Sequence, residues 1–329
     1  MESHMQHQTP GFLSCVIDTE TSTDPNLLAQ LLCSELAARH ADVEVAYQNG
    51  RRHVVRPYAE FVSETQTIEL NAGANIIVTG GARGVTAVVA REMGKRFPGV
   101  KLHLIGSSPL PTLADSYYSM TEEELKDVKA SVMKEALANG EKPMDAWGRF
   151  EKALEIGKTL REFAAEGVNA FYNGCDISNR EALAGVLNSI RSEHGPIEGI
   201  IHGAGFERAT RFDKKQEELV RRTIGAKVDG AANLLALTTS DPVKFMVAFG
   251  SVSGRFGGVG QTDYSVANDM VAKLMDWSRT QRPNLPTAVF HWHAWDDVGM
   301  AVRPESQHIR KLHNINFMPS SGRGETSFG

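Results

Sequence analysis

A glycine-rich segment between two apolar patterns constrains the fold more than any other feature of this sequence. Ile76-Ile77-Val78 is a short apolar run typical of a buried strand, and valines at helical spacing begin at Val85. Between them lies Thr79-Gly80-Gly81-Ala82-Arg83-Gly84, followed by Val85-Thr86. Glycines at a strand-to-helix turn let the backbone approach a pyrophosphate, which rests on the positive N-terminus of the helix. The segment therefore predicts a dinucleotide-binding unit; a tight turn without a ligand is the alternative.

From about Asn71 the sequence alternates between strand and helix patterns. Further strands are predicted at residues 102–105, 170–172, 197–201, 243–249 and 288–290. Ser178 with Glu181 predicts a capping box for one of the intervening helices, and Gly195 predicts its end. Repeated βα units with short apolar strands indicate an α/β fold with a doubly wound parallel sheet of Rossmann type.

Two segments fall outside this alternation. Residues 1–70 combine a strand at Phe12–Ile17, a helix that starts at Asp24-Pro25 with an apolar leucine stripe, and a hairpin turning at Asn49-Gly50. They predict a small truncated α/β subdomain before a catalytic domain at 71–329. Residues 110–166 form a helical insertion, with one helix capped at Thr121-Glu124 and a second to Ala165. A hairpin packed outside the sheet is expected; an interaction surface is the alternative.

Composition narrows the class of protein. The chain has 41% hydrophobic and 23% charged residues and a net charge of −5, which disfavour a disordered chain, nucleic-acid binding and anionic membranes. No apolar run is long enough to span a bilayer. Three scattered cysteines indicate a reducing compartment, hence the cytoplasm. His291 and His293 lack a third ligand at useful spacing, so no metal is expected.

The choice of dinucleotide depends on a missing carboxylate. An NAD site needs Asp or Glu at the end of the second strand to hold the ribose 2′-hydroxyl, and Gly106-Ser107-Ser108 stands there instead. Arg83 could pair with a 2′-phosphate. These residues favour NADPH and leave NADH open; a solvated surface arginine is the alternative for Arg83.

A second group of polar residues follows the fifth strand of this sheet. Ser251 ends the strand, Tyr264 lies thirteen residues later, and Asn268 lies one helical turn beyond the tyrosine. Since a free tyrosine has a pKa of about 10, it needs a nearby ammonium to act as an acid near neutrality. Lys227, on the helix before this strand, is the candidate. Each residue alone has a structural explanation; together, behind a dinucleotide loop, they predict a catalytic site.

These motifs resemble the short-chain dehydrogenase/reductases, and within them the ketoreductase domains of polyketide synthases and polyunsaturated-fatty-acid synthases. The resemblance rests on the following stretches: Thr79–Gly84, Cys175-Asp176-Ile177, His202-Gly203-Ala204-Gly205, Ala226–Gly230, Gly250–Gly254, Tyr264–Asn268, Trp292–Trp295 and Val298–Ala301. The exchange of positions between Lys227 and Asn268 is the arrangement of the synthase enzymes. The subdomain at 1–70 looks like their non-catalytic structural subdomain.

The resemblance implies a role for each matching residue. Tyr264 would protonate the ketone, Ser251 would hydrogen-bond the same oxygen, Lys227 would lower the tyrosine pKa and hold the cofactor ribose, and Asn268 would hold the relay. Asp176 would accept from the adenine amino group. The predicted cofactor-binding residues are Thr79, Gly80, Gly81, Ala82, Arg83, Gly84, Val85, Ser107, Asp176, Ile177, His202, Gly203, Ala204 and Gly205.

Several positions depart from the family pattern. Thr86 replaces the last glycine of the loop, which tightens helix packing there, and Ser107 stands where an arginine is common. Phe206-Glu207-Arg208 replaces one stereochemical fingerprint and Phe256 the tryptophan of the other, so the handedness of the product stays open.

The resemblance implies NADPH-dependent reduction of a β-ketoacyl thioester on an acyl carrier protein, next to other synthase domains. A catalytically silent scaffold and a free-standing carbonyl reductase are the alternatives. The oligomeric state is not indicated. The chain stops before the last helix and strand expected of such a sheet, so an excised piece of a longer protein is expected.

Overall fold

The computed structural model describes residues 15–38, 42–60 and 68–296, together with Gly299 and Met318. The sequence features at Phe12–Ser14, at Val298, Met300 and Ala301, and at the C-terminal residues 322–329 lie outside the described residues. Within the described ranges, no helix combines the length and apolar character needed to cross a membrane.

A three-stranded sheet lies at the start of the chain. Its elements are β1 (Val16–Thr19), α1 (Pro25–Ala38), β2 (Glu44–Gln48) and β3 (Arg51–Val54). β1 pairs in parallel with β2, and β2 pairs antiparallel with β3. Asn49 and Gly50 both take positive φ, as a two-residue hairpin turn requires. The predicted helix and hairpin are therefore present.

The apolar stripe of α1 is largely exposed. Leu36 is 74% exposed, and Leu27 and Leu32 are also exposed, while Glu35 is buried at 7%. Glu35 accepts hydrogen bonds from Arg52 Nε at 2.7 Å and Tyr47 Oη at 2.5 Å. The spacing predicts the helix correctly, but α1 packs on its sheet through a buried ion pair (Glu35 and Arg52) and not through all of its leucines.

The main sheet has six parallel strands in the order β6-β5-β4-β7-β8-β9. The strands are β4 (Asn75–Thr79), β5 (Lys101–Gly106), β6 (Asn169–Gly174), β7 (Ile197–His202), β8 (Met246–Ser251) and β9 (Thr287–Trp292). The helices are α2 (Gly84–Arg96), α3 (Glu122–Ala138), α4 (Pro143–Ala165), α5 (Arg180–His194), α6 (Glu217–Ile224), α7 (Gly230–Leu237), α8 (Ser253–Phe256) and α9 (Thr262–Gln281). The predicted doubly wound sheet is confirmed. Strand order reverses between β4 and β7, where open α/β sheets bind ligands.

The core lies on both faces of this sheet. Ile76, Ile77 and Val78 of β4 are completely buried. Leu183 and Leu187 of α5 belong to the cluster on one face. Ile156 and Phe163 of α4, both 1% exposed, belong to the cluster on the other face. The second helix of the insertion is therefore part of the core.

Local signals account for most helix ends. Thr121 and Glu124 form the capping box at the start of α3, and Gly195 ends α5 with a φ of 98°. The predicted cap of α5 is wrong: the helix begins one residue later, so Asn179 caps it, and its Oδ1 accepts from the amides of Glu181 and Ala182 at 3.1 Å. Ser178 instead donates to Asp176 Oδ1 at 2.8 Å. Asn and Ser are comparable N-caps, so composition alone does not choose between them.

A π-helical turn at Gly225–Asp229 joins α6 to α7. Lys227 lies in the middle of this turn. Single π turns inside longer helices are rare and often occur at functional sites.

Candidate active site

The carboxyl ends of the central strands open onto a cavity of about 2130 Å³. Its walls come from the glycine-rich loop after β4, the ends of β5 to β8, the first turn of α9 and the insertion helix α4. Lys227, Ser251 and Tyr264 all line it. The sheet topology therefore brings together residues that are distant in sequence.

Glycine is required where the β4 loop meets the β7 loop. Gly80 has a φ of +73°, and a Cβ there would lie 3.0 Å from the backbone of Ala204. Gly84 has a φ of +57° at the first residue of α2. A side chain at Gly80 would force these two loops apart, because its nearest neighbours are backbone atoms.

Thr86 and Gly203 fit each other. A Cβ on Gly203 would lie 2.2 Å from Thr86 Oγ1 and 2.5 Å from its Cγ2. Thr86 is buried at 6%. The absence of a side chain at 203 thus makes room for the threonine that replaces the last glycine of the loop.

Three buried residues form a hydrogen-bonded chain below the cavity. Thr79 Oγ1 lies 2.8 Å from His202 Nδ1, and His202 Nε2 lies 2.8 Å from the backbone oxygen of Lys227. Since a carbonyl only accepts, Nε2 carries the hydrogen and Nδ1 accepts from the threonine hydroxyl. Burial, together with the nearby Lys227 ammonium, lowers the pKa of His202 to about 3, so the imidazole is neutral.

The Lys227 side chain is buried against β8. Its Nζ donates to the backbone oxygen of Phe249 at 2.5 Å, and the residue is 3% exposed. A Cβ on Gly205 would lie 3.4 Å from the same Nζ, so Gly205 leaves the ammonium open toward the cavity. Burial lowers the pKa of Lys227 to about 8.

Ser251 and Tyr264 lie on neighbouring walls of the cavity. Ser251 Oγ accepts from Ser253 Oγ at 3.0 Å and from the Ser253 amide at 3.2 Å, which leaves the hydrogen of its own hydroxyl for another acceptor. Tyr264, in the first turn of α9, is 9% exposed.

Asn268 supports Tyr264 from one helical turn further along α9. Its Nδ2 donates to the Tyr264 backbone oxygen at 2.7 Å. The residue is completely buried, and its Oδ1 has no hydrogen-bond partner among the described residues. A Cβ on Gly254 would lie 3.0 Å from Asn268 Cβ, so the short helix α8 packs closely on α9.

The insertion contributes two charged residues to the wall that the sequence analysis did not single out. Glu155 Oε2 lies 2.5 Å from Arg83 Nε, and Glu155 Oε1 accepts from the Gly84 amide at 3.3 Å. Lys152 Nζ donates to Ser107 Oγ at 3.3 Å. Arg83 is therefore ion-paired and is not the solvated arginine of the alternative interpretation. The three-residue spacing of Lys152 and Glu155 on one helix face was the available signal.

The family model of the KR domain matches residues 74–297. The chain belongs to the KR domain family. This membership indicates an oxidoreductase and confirms the resemblance to synthase ketoreductases within the short-chain dehydrogenase/reductases.

Similar proteins are parts of large synthases. The KR domain is 26% identical over 91% of the chain to a polyunsaturated fatty acid synthase protein of Thraustochytrium, but spans 11% of that protein. It is 25% identical over 86% of the chain to the polyketide synthase PksL of Bacillus subtilis, and spans 6% of it. The chain thus corresponds to a small share of each relative.

Solved structures support the fold. A ketoreductase domain from the bacillaene assembly line has a TM-score of 0.74 and 22% identity, covering 97% of this chain and 67% of that one. A short-chain dehydrogenase from Burkholderia cenocepacia in complex with NADP has a TM-score of 0.54 and 15% identity, covering 75% and 86%.

The structure separates the predicted site residues of the KR domain into two groups. Those that line the cavity are Gly80, Ala82, Arg83, Gly84, Val85, Ser107, Asp176, Ile177, Gly203, Ala204, Gly205, Lys227, Ser251 and Tyr264. Thr79, Gly81, His202 and Asn268 are buried behind the wall. The prediction that His202 lines the cofactor floor is wrong, because its ring points between Thr79 and Lys227.

The two histidines near the end of β9 have local partners. His291 Nδ1 lies 3.1 Å from the Ser251 backbone oxygen, and His293 Nδ1 accepts from the Ala294 amide at 2.9 Å. Across the described ranges, no group of three or more His, Cys, Asp or Glu side chains is arranged to hold a metal ion.

Proposed function

We propose that this KR domain catalyses the NADPH-dependent reduction of a β-ketoacyl thioester to the β-hydroxyacyl thioester. The observation that carries the proposal is the presence of Lys227, Ser251 and Tyr264 in the walls of one cavity, next to the glycine-rich loop. The synthase relatives support a substrate carried by an acyl carrier protein, with neighbouring synthase domains as partners and the cytoplasm as location. They also support a division into a structural subdomain at 1–70 and a catalytic domain at 71–329.

The site fits a nicotinamide dinucleotide. The Glu155 carboxylate accepts from the Gly84 amide at the N-terminus of α2, so this helix end already holds an anion. Gly80 and Gly84 leave the loop without side chains on its cavity side. When bound, the cofactor would supply the hydride for the ketone carbon.

Tyr264 would act as the general acid. Its hydroxyl would protonate the ketone oxygen as negative charge develops there. The free hydrogen of Ser251 would bond to the same oxygen and stabilise that charge. Both residues line the cavity from adjacent elements, β8 and α9.

Lys227 and Asn268 would support the acid. The Lys227 ammonium, buried beside the cavity, would stabilise the tyrosinate that remains after proton transfer. Asn268 holds the backbone of Tyr264 through its Nδ2. Its buried Oδ1 would accept from a water on the path that returns the proton.

The test is the rate of NADPH oxidation with a β-ketoacyl thioester. Tyr264→Phe keeps the ring and removes the acid, so the rate should fall by about 10²- to 10⁴-fold. Tyr58→Phe is the matched control, since Tyr58 is 80% exposed. Equal rates in wild type and Tyr264→Phe would contradict the mechanism. Comparison of free-acid, coenzyme A and carrier-bound substrates tests the need for a carrier.

A further inference from the structure

The end of β5 receives a positive charge from outside the dinucleotide-binding unit. Gly106-Ser107-Ser108 contains neither a carboxylate nor an arginine. Lys152 of α4 reaches this position, and its Nζ donates to Ser107 Oγ at 3.3 Å. Both residues line the cavity. Within the described part of the chain, Lys152 makes no ion pair.

Other cationic side chains share this part of the cavity. Arg83 and Arg222 also line it. Burial lowers the pKa of Lys152, and the Arg83 and Arg222 guanidinium groups lower it further, which shows that their positive charges act on one another. A wall that gathers like charges in a partly buried place is suited to an anion.

Glu155 is the acidic side chain that partly compensates these charges. It lies three residues after Lys152 on α4, and its carboxylate bonds to Arg83 Nε and to the Gly84 amide. Its side chain is 41% exposed, as is that of Arg83, so the carboxylate can leave this position for water.

The end of the second strand is the part of a dinucleotide-binding sheet that faces the adenosine ribose. We propose that Lys152, supplied by the insertion, binds the 2′-phosphate of NADPH together with Arg83, and that the phosphate takes the place of the Glu155 carboxylate. This inference rests on the cofactor of the proposed function and names the residues that recognise it. It also gives the insertion a role in cofactor selection beyond its packing on the sheet.

The test measures binding by isothermal titration with two nucleotides that differ only in the 2′-phosphate, adenosine 2′,5′-bisphosphate and adenosine 5′-monophosphate. Lys152→Gln should weaken the bisphosphate about ten- to a hundredfold and leave the monophosphate unchanged, because a charge-assisted contact to phosphate is lost. Lys152→Arg should retain most of the bisphosphate affinity. Glu155→Gln should tighten bisphosphate binding, since the competing carboxylate is removed.

Lys126→Gln is the matched control. Lys126 lies on α3 in the same insertion, pairs with Glu123 and is 70% exposed, so its loss makes the same change in net charge away from the cavity. Both affinities should stay at the wild-type value in this variant.

The outcomes distinguish the inference from the proposed function. If Lys152→Gln binds the bisphosphate as wild type does, or weakens both nucleotides equally, the inference is wrong, whatever the reductase assay gives. If wild type discriminates between the nucleotides through Lys152 but does not reduce the thioester, the proposed function is wrong and the inference stands. Failure of wild type to bind either nucleotide would overturn both.

Discussion

The Nε2 atom of His202 lies 2.8 Å from the backbone oxygen of Lys227 and links the end of β7 to the π turn. Thr79, at the end of β4, holds the other ring nitrogen. The strand that leads into the glycine-rich loop is thereby connected to the backbone that carries the lysine. His202 is a positioning residue, since it reaches the cavity only through its neighbours.

His202→Phe should destabilise the protein. Phenylalanine fills a similar volume but leaves the Thr79 hydroxyl and the Lys227 carbonyl unpaired in the core, at a cost of about 1–3 kcal/mol each. The free energy of unfolding in urea measures the loss. His53→Phe, at an exposed position of β3, is the control and should change stability by less than about 0.5 kcal/mol. Equal stability of the two variants would contradict the buried network.

Stability should fall in mild acid. Burial lowers the pKa of His202 to about 3 and that of His103 to about 4, from an ordinary 6.5. Below pH 6.5 the unfolded chain takes up protons that the folded protein excludes, so stability is complete above this pH and is lost as pH falls toward 4 and then 3. Each histidine contributes up to about 1.4 kcal/mol per pH unit in its window. Urea unfolding between about pH 7 and about pH 5 measures the slope, and a flat profile would contradict the assignment.

Reductase activity should decline as pH rises through about 8, because Lys227 then loses the charge that stabilises the tyrosinate. The rate at saturating substrate, measured across this pH, tests the prediction. Lys227→Met should be nearly inactive at every pH, with cofactor oxidation at least about 10²-fold slower. A wild-type rate that stays level well above pH 8 would show that another group governs the reaction.

Gly203→Ala should destabilise the protein by about 1–3 kcal/mol, because the new methyl group overlaps Thr86. Thr86→Gly removes the side chain that it meets. In the double variant the loss should be smaller than the sum of the two single losses, which thermal unfolding of all four proteins measures. Strict additivity would mean that the two positions do not compete for space.

The sequence predicted the fold because each part carries a local signal. Ile76-Ile77-Val78 before a glycine-rich turn indicates one strand-to-helix unit, and repetition of such units determines a parallel sheet. The spacing of Tyr264 and Asn268 on α9 likewise follows from helical geometry, and the hydrogen bond between them is present.

What the sequence missed depends on contacts between distant segments. Nothing near Ser107 indicates that Lys152, forty-five residues later, lies against it. His202 was assigned to the cavity floor because its neighbours Gly203, Ala204 and Gly205 line the cavity, but its side chain points to the opposite side of the strand end. The exposed leucines of α1 show the same limit, since helical spacing predicts a face but not what covers it.

The π turn at Gly225–Asp229 makes the length of this segment as informative as its residue types. An α-helix rotates by about 100° per residue, so deletion of one residue from the turn would restore a regular helix and rotate Lys227 away from Phe249. An insertion elsewhere in the same helix would have the same effect. Comparisons of KR domains that tolerate gaps here would therefore align a catalytic lysine with residues that face a different side of the helix.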